Sequence, residues 1–186
     1  NRPDIQNCLW IWRVFRYKNT DFFELKGVND PPQYGDYEAQ RHWMELTINL
    51  PAHQWYTEVY RDGKLVNDFK YWRLDYPPLS GYLSYIYGYF SRWLDPKSME
   101  LYTSRGYETP FHKMFMRSTV LITDLLLFTS AIVAFVLRLY KKYNFETRMA
   151  FLLLILLSPL MVLIDHGHFQ YNCAMLGKVL NILFNL

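Results

Sequence analysis

Apolar and polar positions are divided unequally along this chain. After residue 118 they separate into long blocks: TVLITDLLLFTSAIVAFVL (119–137), MAFLLLILLSPLMVLI (149–164) and CAMLGKVLNILFNL (173–186). The first block is 19 residues long and contains one charge, Asp124. A helix needs about 20 residues, each rising ~1.5 Å, to cross a bilayer, so the pattern predicts a spanning helix over about 118–138. The second block, 16 residues, is slightly short. Part of the DHGHFQYN that follows it (165–172) is therefore expected near membrane depth, with Pro159 kinking a second span over 149–165. The third span, 173–186, is cut off inside its apolar run, as expected of a piece of a longer protein.

Before residue 118 the pattern is finer. Residues 1–34 are mixed and end in the breaker cluster NDPPQYG. From Asp36, the positions Ala39, Trp43, Leu46 and Leu50 fall on one helical face, and Pro51 stops that helix. In HQWYTEVYRDGKLVNDFKYW, the Asp62-Gly63 step between two β-prone runs reads as a hairpin turn. DYPPL (75–79) punctuates again, since Pro77 and Pro78 force extension before them and open a helix after them. SGYLSYIYGYFSRWL is short, aromatic and dotted with glycine, which suits a helix lying in a membrane interface better than one spanning. LDPKSMELYTSRGYETPFHK reads as a polar loop.

Charge follows the same division. Residues 1–117 hold 15 of the 20 Lys and Arg and 14 of the 17 Asp and Glu. The mean hydropathy of −0.12 averages two unlike halves. The net charge is +3, but basic and acidic residues alternate without the basic stripe that nucleic acid requires. The two cysteines, Cys8 and Cys173, make no disulfide framework. The start of the chain is too charged for a signal peptide. Loop charge sets a topology: Arg138, Lys141, Lys142 and Arg148 lie between the first two apolar blocks, whereas 165–177 has no Lys or Arg. Placing 138–148 in the cytoplasm puts residues 1–117 and 165–172 together on the opposite side. The polar cluster after the second block then faces the compartment of Asp36 and DYPPL.

Asp36 in YGDYEAQRHW reads as a helix N-cap after the Gly35 turn, or as a carboxylate held ionised at a helix start and able to accept a proton. Glu38 is expected to be solvated. Asp75 and Tyr76 of DYPPL serve as a helix opening or as the edge of a substrate groove. Trp43 and the neighbouring rings belong to a core or stack on sugar. His166 and His168 form an H-x-H pair, but they share a face only on a strand and no third ligand follows. They suit hydrogen bonding to phosphate or sugar hydroxyls instead, with Asp165 capping the next helix. Asp124 is expensive in lipid and is expected to be water-exposed or paired with Arg117.

Taken in order, YGDYEAQRHWMELTINLP, HQWY, YWRLDYPPLSGY, TSRGYE, FMRSTVLITDLL and LIDHGHFQYN closely resemble the dolichyl-phosphate-glucose-dependent α-1,3-glucosyltransferases of the endoplasmic reticulum. The resemblance runs from about residue 31 to the end. It is closer to the members that add the first glucose to the lipid-linked oligosaccharide than to the sister enzymes that add the second. It implies an all-α polytopic membrane protein of the GT-C glycosyltransferase fold. In it, 31–117 would be the first lumenal loop with interfacial helices and 118–186 the transmembrane helices. It further implies an active site facing the lumen, with Asp36 catalytic and with His166, His168, Asp165, Tyr76, Asp75 and Trp43 as candidate substrate-binding residues. The implied partners are dolichyl phosphate glucose, the lipid-linked oligosaccharide and membrane lipid. No cofactor or metal is expected, because the loop holds no DxD-like pair. Residues 1–30 depart from the family pattern, in which a transmembrane helix precedes PP-x-x-GD. Family members also carry many further spans, so this stretch alone is expected to be inactive. A non-catalytic glycolipid-binding fragment is the reading of another class.

Overall fold

The computed structural model describes residues 31–159 and 162–184. The expectations for 1–30 lie outside the described residues. Helix α1, Gly35–Asn49, ends where Leu50 turns extended before Pro51. Its apolar face, Ala39, Trp43 and Leu46, is buried with Leu50, Trp55, Val66 and Leu74. The opposite face is buried as well, contrary to the one-sided pattern. Glu38, Arg41, His42 and Glu45 are all fully enclosed, because they satisfy one another.

Strands β1, Val59–Arg61, and β2, Lys64–Asn67, form an antiparallel hairpin, so the architecture is helical with one small two-stranded sheet. Asp62 and Gly63 at its tip have φ of 52° and 74°, the left-handed pair that matches the twist of the strands.

Helix α2, Pro78–Leu94, opens on Pro78 and buries its small residues Gly81, Ser84, Gly88 and Ser91. It packs along α1. The approach is closest at Gly88, where a Cβ would lie 2.7 Å from the Met44 carbonyl oxygen. A stripe of three aromatic residues and one aliphatic, Tyr82, Ile86, Tyr89 and Trp93, is left exposed.

The expected polar loop is shorter than predicted. A turn of 3₁₀ helix at Pro96–Met99 leads to helix α3, Pro110–Leu139, 30 residues long. It starts nine residues before the apolar block because Pro110 occupies the first turn and the Thr109 hydroxyl accepts from His112 N. Among the described residues α3 is the one helix long and apolar enough to cross a membrane.

A widened π turn, Asp124–Thr129, interrupts α3. Helix α4, Phe145–Leu156, is capped by the Asn144 side chain. It stops short of the predicted 149–165 span, since the residue before Pro159 disfavours helical geometry. A π turn, Val162–His166, leads toward helix α5, Asn172–Phe184. Helix α5 lies against the π turn of α3, and a Cβ on Gly177 would sit 2.5 Å from the Leu127 carbonyl oxygen. Beneath the loop between them, Phe169 joins Tyr37, Met44, Met99 and Met116 in one cluster. This layer fastens α1, α3 and the 165–172 segment together.

Candidate active site

Asp36 is the second residue of α1. Tyr34 and Gly35 before it are both left-handed, with φ of 58° and 76°. No side chain caps this helix start, so the capping role expected of Asp36 is not the one it takes. Its Oδ2 instead lies 2.6 Å from His168 Nδ1, with both side chains about 40% exposed (40% and 39%). A carboxylate only accepts, so the imidazole hydrogen sits on Nδ1. No hydrogen bond reaches Asp36 Oδ1 from the described residues. The helix dipole favours negative charge at this end of α1.

The pair stands at the wall of a cleft of about 310 Å³. Trp43, Asp75 and Tyr76 line it together with Asp36 and His168. Trp43 is held by its indole N–H, which donates to the carbonyls of Trp72 and Arg73 at 3.2 and 3.1 Å. The rings of Trp43 and Tyr76 meet edge to face at 5.2 Å. Asp75 does not cap α2, which starts after an extended Pro77 with no side-chain cap. Five of the seven predicted residues therefore converge.

His166 and Asp165 do not join them. His166 Nε2 turns to Asp124 Oδ2 at 3.1 Å, so Asp124 pairs with this histidine rather than with Arg117. The Arg117 guanidinium lies over the Phe169 ring at 5.8 Å. Asp165 is buried and accepts from Cys173 N at 2.5 Å and from Asn172 Nδ2 at 2.9 Å, which caps α5. The physical reason is angular. Residues two apart on a helical turn differ by about 200°, so the two histidines reach opposite elements. Ligand atoms of Asp124, Asp165 and Cys173 lie within 4.8 Å of one another, a grouping that includes neither histidine. Asp165 spends both oxygens on the cap.

The sequence reading missed Gln40, Arg73 and Gln170, which also line the cleft. Gln40 was within reach, since it follows Asp36 by four residues and so shares its face. Arg73 and Gln170 come from irregular backbone, where spacing carries no facing information.

A second charged group lies behind the cleft wall. Arg41 makes two bonds to Glu38 at 2.6 Å and one to Glu45 at 2.8 Å, and its Nη1 donates to Ser98 O and Ser104 Oγ. Glu38 is thus buried and paired, not solvated. Burial alone would raise the Glu45 carboxyl. The hydrogen bond and charge of His42, the charge of Arg41 and the Tyr102 N–H hold it down at about 2 instead. Tyr71 connects the two zones: it lines the cleft and donates to Glu38 Oε1 at 2.7 Å. Burial and the adjacent Glu38 push its phenol well above the usual range.

The arrangement supplies a half-exposed carboxylate with one free oxygen, an imidazole bonded to it, aromatic walls and one guanidinium among the lining residues. Such a cleft can bind a sugar and take a proton from its hydroxyl. Comparison with known proteins agrees in kind. The ALG6, ALG8 glycosyltransferase family matches residues 9–186, reaching into the N-terminal segment. The chain is 51% identical over 81% of its length to a probable dolichyl pyrophosphate Man9GlcNAc2 alpha-1,3-glucosyltransferase of Dictyostelium discoideum, covering 28% of that protein. It is 47% identical over 83% of its length to the corresponding Gallus gallus protein, covering 29% of it. Over 96% of its length it is 42% identical to a probable Schizosaccharomyces pombe counterpart, covering 34% of that one. It spans about a third of the curated relatives it matches. A cleft lined by carboxylates beside a helix long and apolar enough to cross a membrane fits the family match across nearly the whole chain, and this chain belongs to the ALG6, ALG8 glycosyltransferase family.

Proposed function

We propose that this chain carries the acceptor-side part of an active site that transfers glucose from dolichyl phosphate glucose to a lipid-linked Man9GlcNAc2 oligosaccharide, forming an α-1,3 linkage. The relatives are named for action on that acceptor. The observation that carries the reading is the Asp36–His168 pair in a cleft walled by Trp43 and Tyr76. In the proposed reaction a β-linked donor gives an α-linked product, so the anomeric carbon inverts in a single displacement. That requires one base on the acceptor side and no covalent intermediate. Asp36 Oδ1 receives the acceptor hydroxyl proton while the oxygen attacks C1, and the electrons of the broken bond leave on dolichyl phosphate. Phosphate departs without a general acid. His168, hydrogen-bonded through Nδ1, fixes the carboxylate and offers its far nitrogen to the cleft.

The proposal sets the cleft on the lumenal side of the endoplasmic reticulum membrane, with 138–148 in the cytoplasm as loop charge requires. Two further features support it. Thr123, a short way into the apolar stretch of α3, is bonded to Tyr87 at the middle of α2. Helix α2 therefore runs at the membrane edge, with Tyr82, Tyr89 and Trp93 outward, where such rings are favoured. A lipid-anchored donor reaches the cleft from that edge.

The test is Asp36→Asn in the full-length protein, assayed by transfer of labelled glucose from dolichyl phosphate glucose to the defined acceptor. General-base loss is expected to lower turnover by about 10²–10⁴-fold. Near-normal transfer removes Asp36 from the role.

A further inference from the structure

The histidines of HGH part company, each bonding to a different aspartate, and the proposed reaction uses one of the two pairs. Asp124 belongs to the other. It is 7% exposed, and it stands where the apolar helix α3 widens into its π turn. An acidic side chain within the apolar stretch of such a helix is costly unless it is paired, a penalty that a leucine or alanine would not carry. Its Oδ2 meets His166 Nε2 at 3.1 Å. Its Oδ1 is buried without a hydrogen-bond partner, so the residue is not satisfied for the sake of local stability. Buried polar groups left in that condition call for a reason beyond folding.

The chain from His166 to Tyr171 is short and held at successive points. The Gln170 N–H closes onto Asp165 O at 3.0 Å. Phe169, at φ 56°, drops into the cluster beside Tyr37, with ring centroids 5.4 Å apart. Tyr171 Oη and Thr119 Oγ1 are 2.8 Å apart. Helix α3 thus grips the segment twice, at Thr119 and at Asp124, and between those grips His168 bonds to Asp36.

We infer that the Asp124–His166 pair is a positioning device, which holds His168 and through it the Asp36 carboxylate at the angle the cleft requires. Neither Asp124 nor His166 lines the cleft, so neither is a catalytic residue. The inference rests on the reading of Asp36 as the base. Misplacement of a reacting group by about 1 Å costs ~10²-fold in rate.

The test uses the full-length protein, with kcat and the acceptor KM measured together. Asp124→Ala and His166→Ala are each expected to lower kcat about 10- to 100-fold with acceptor KM within a factor of about two, and no further when combined. Asp124→Asn, whose amide oxygen still accepts from His166, is expected to restore most of the loss. In a His168→Ala background, Asp124→Ala is expected to change kcat no further, because the path it acts through has been removed. Asp124→Ala takes a buried carboxylate out of an apolar helix and puts in a strong helix former. Its thermal midpoint is therefore expected not to fall, which separates positioning from unfolding. Unaltered kcat in Asp124→Ala overturns the inference, and so does a loss that multiplies fully with that of His168→Ala. If Asp36→Asn is itself active, the reading of the base fails, and that result is distinct from either of these.

Discussion

Helix α1 carries two kinds of acid within ten residues. Glu38 and Glu45 are fully buried, and each is bonded to Arg41 and at least one further donor. Asp36 is half exposed, with one partner and one free oxygen. The first pair is spent, since every lone pair that matters is committed and no substrate reaches it. The second is available. Burial by itself therefore does not identify the reactive acid. In the proposed reaction an unfilled hydrogen-bonding valence next to solvent marks it, and the charge-paired network behind it holds the helix that carries the open carboxylate.

The contrast is broken most severely at Arg41. Arg41→Met in the full-length protein leaves Glu38 enclosed without a counter-charge and Glu45 with His42 alone, expected to destabilise by about 3–5 kcal/mol. Thermal scanning of the solubilised protein checks this, and a wild-type midpoint would show that the network is not the frame. Asp36→Asn belongs at the other pole. It should remove transfer as stated above yet change stability by no more than about 0.5 kcal/mol, read from the same thermal scan. A variant that both melts early and fails to transfer would merge the two regions.

Gly88→Ala tests the packing that supports both, because the added methyl meets the Met44 carbonyl at 2.7 Å. Overpacking of this kind costs about 1–3 kcal/mol, measured again as a lower midpoint. The mildest probe is pH. Glu45 is held at about 2 against a reference of 4.5, a depressed carboxylate. Its contribution is fully present above pH 4.5 and is lost as pH falls toward 2. Between pH 7 and pH 4 about 1 kcal/mol should go, and the Glu45→Gln variant, compared at both values, should lack that component.

The apolar face of α1, its stop before Pro51, the hairpin at Asp62-Gly63 and the opening of α2 at Pro78 were all readable, because each depends on residues within a few positions of one another. Periodicity could not show that the polar face of α1 is also buried, since Ser98, Ser104 and Tyr102 reach Arg41 and Glu45 from more than fifty residues away. The same limit left Asp124 either water-exposed or paired with a neighbour such as Arg117, whereas it is buried against His166. Helical neighbours are visible in sequence, whereas His166 arrives only when the 165–172 segment folds back onto α3. The end of α3 nearest the cleft was drawn too short because hydropathy marks where a helix is apolar, not where a cap starts it.

By itself the sequence determined the separation into a polar unit and apolar helices. It also determined the shared side of Asp36 and the histidine segment, since hydropathy, loop charge and proline positions are local and additive. Only the tertiary structure decided which histidine meets Asp36, which acids are sealed and which one stays open. Those outcomes depend on side-chain direction and on partners distant in the chain, and a hydrogen bond is made or lost over a fraction of an ångström that no spacing rule encodes.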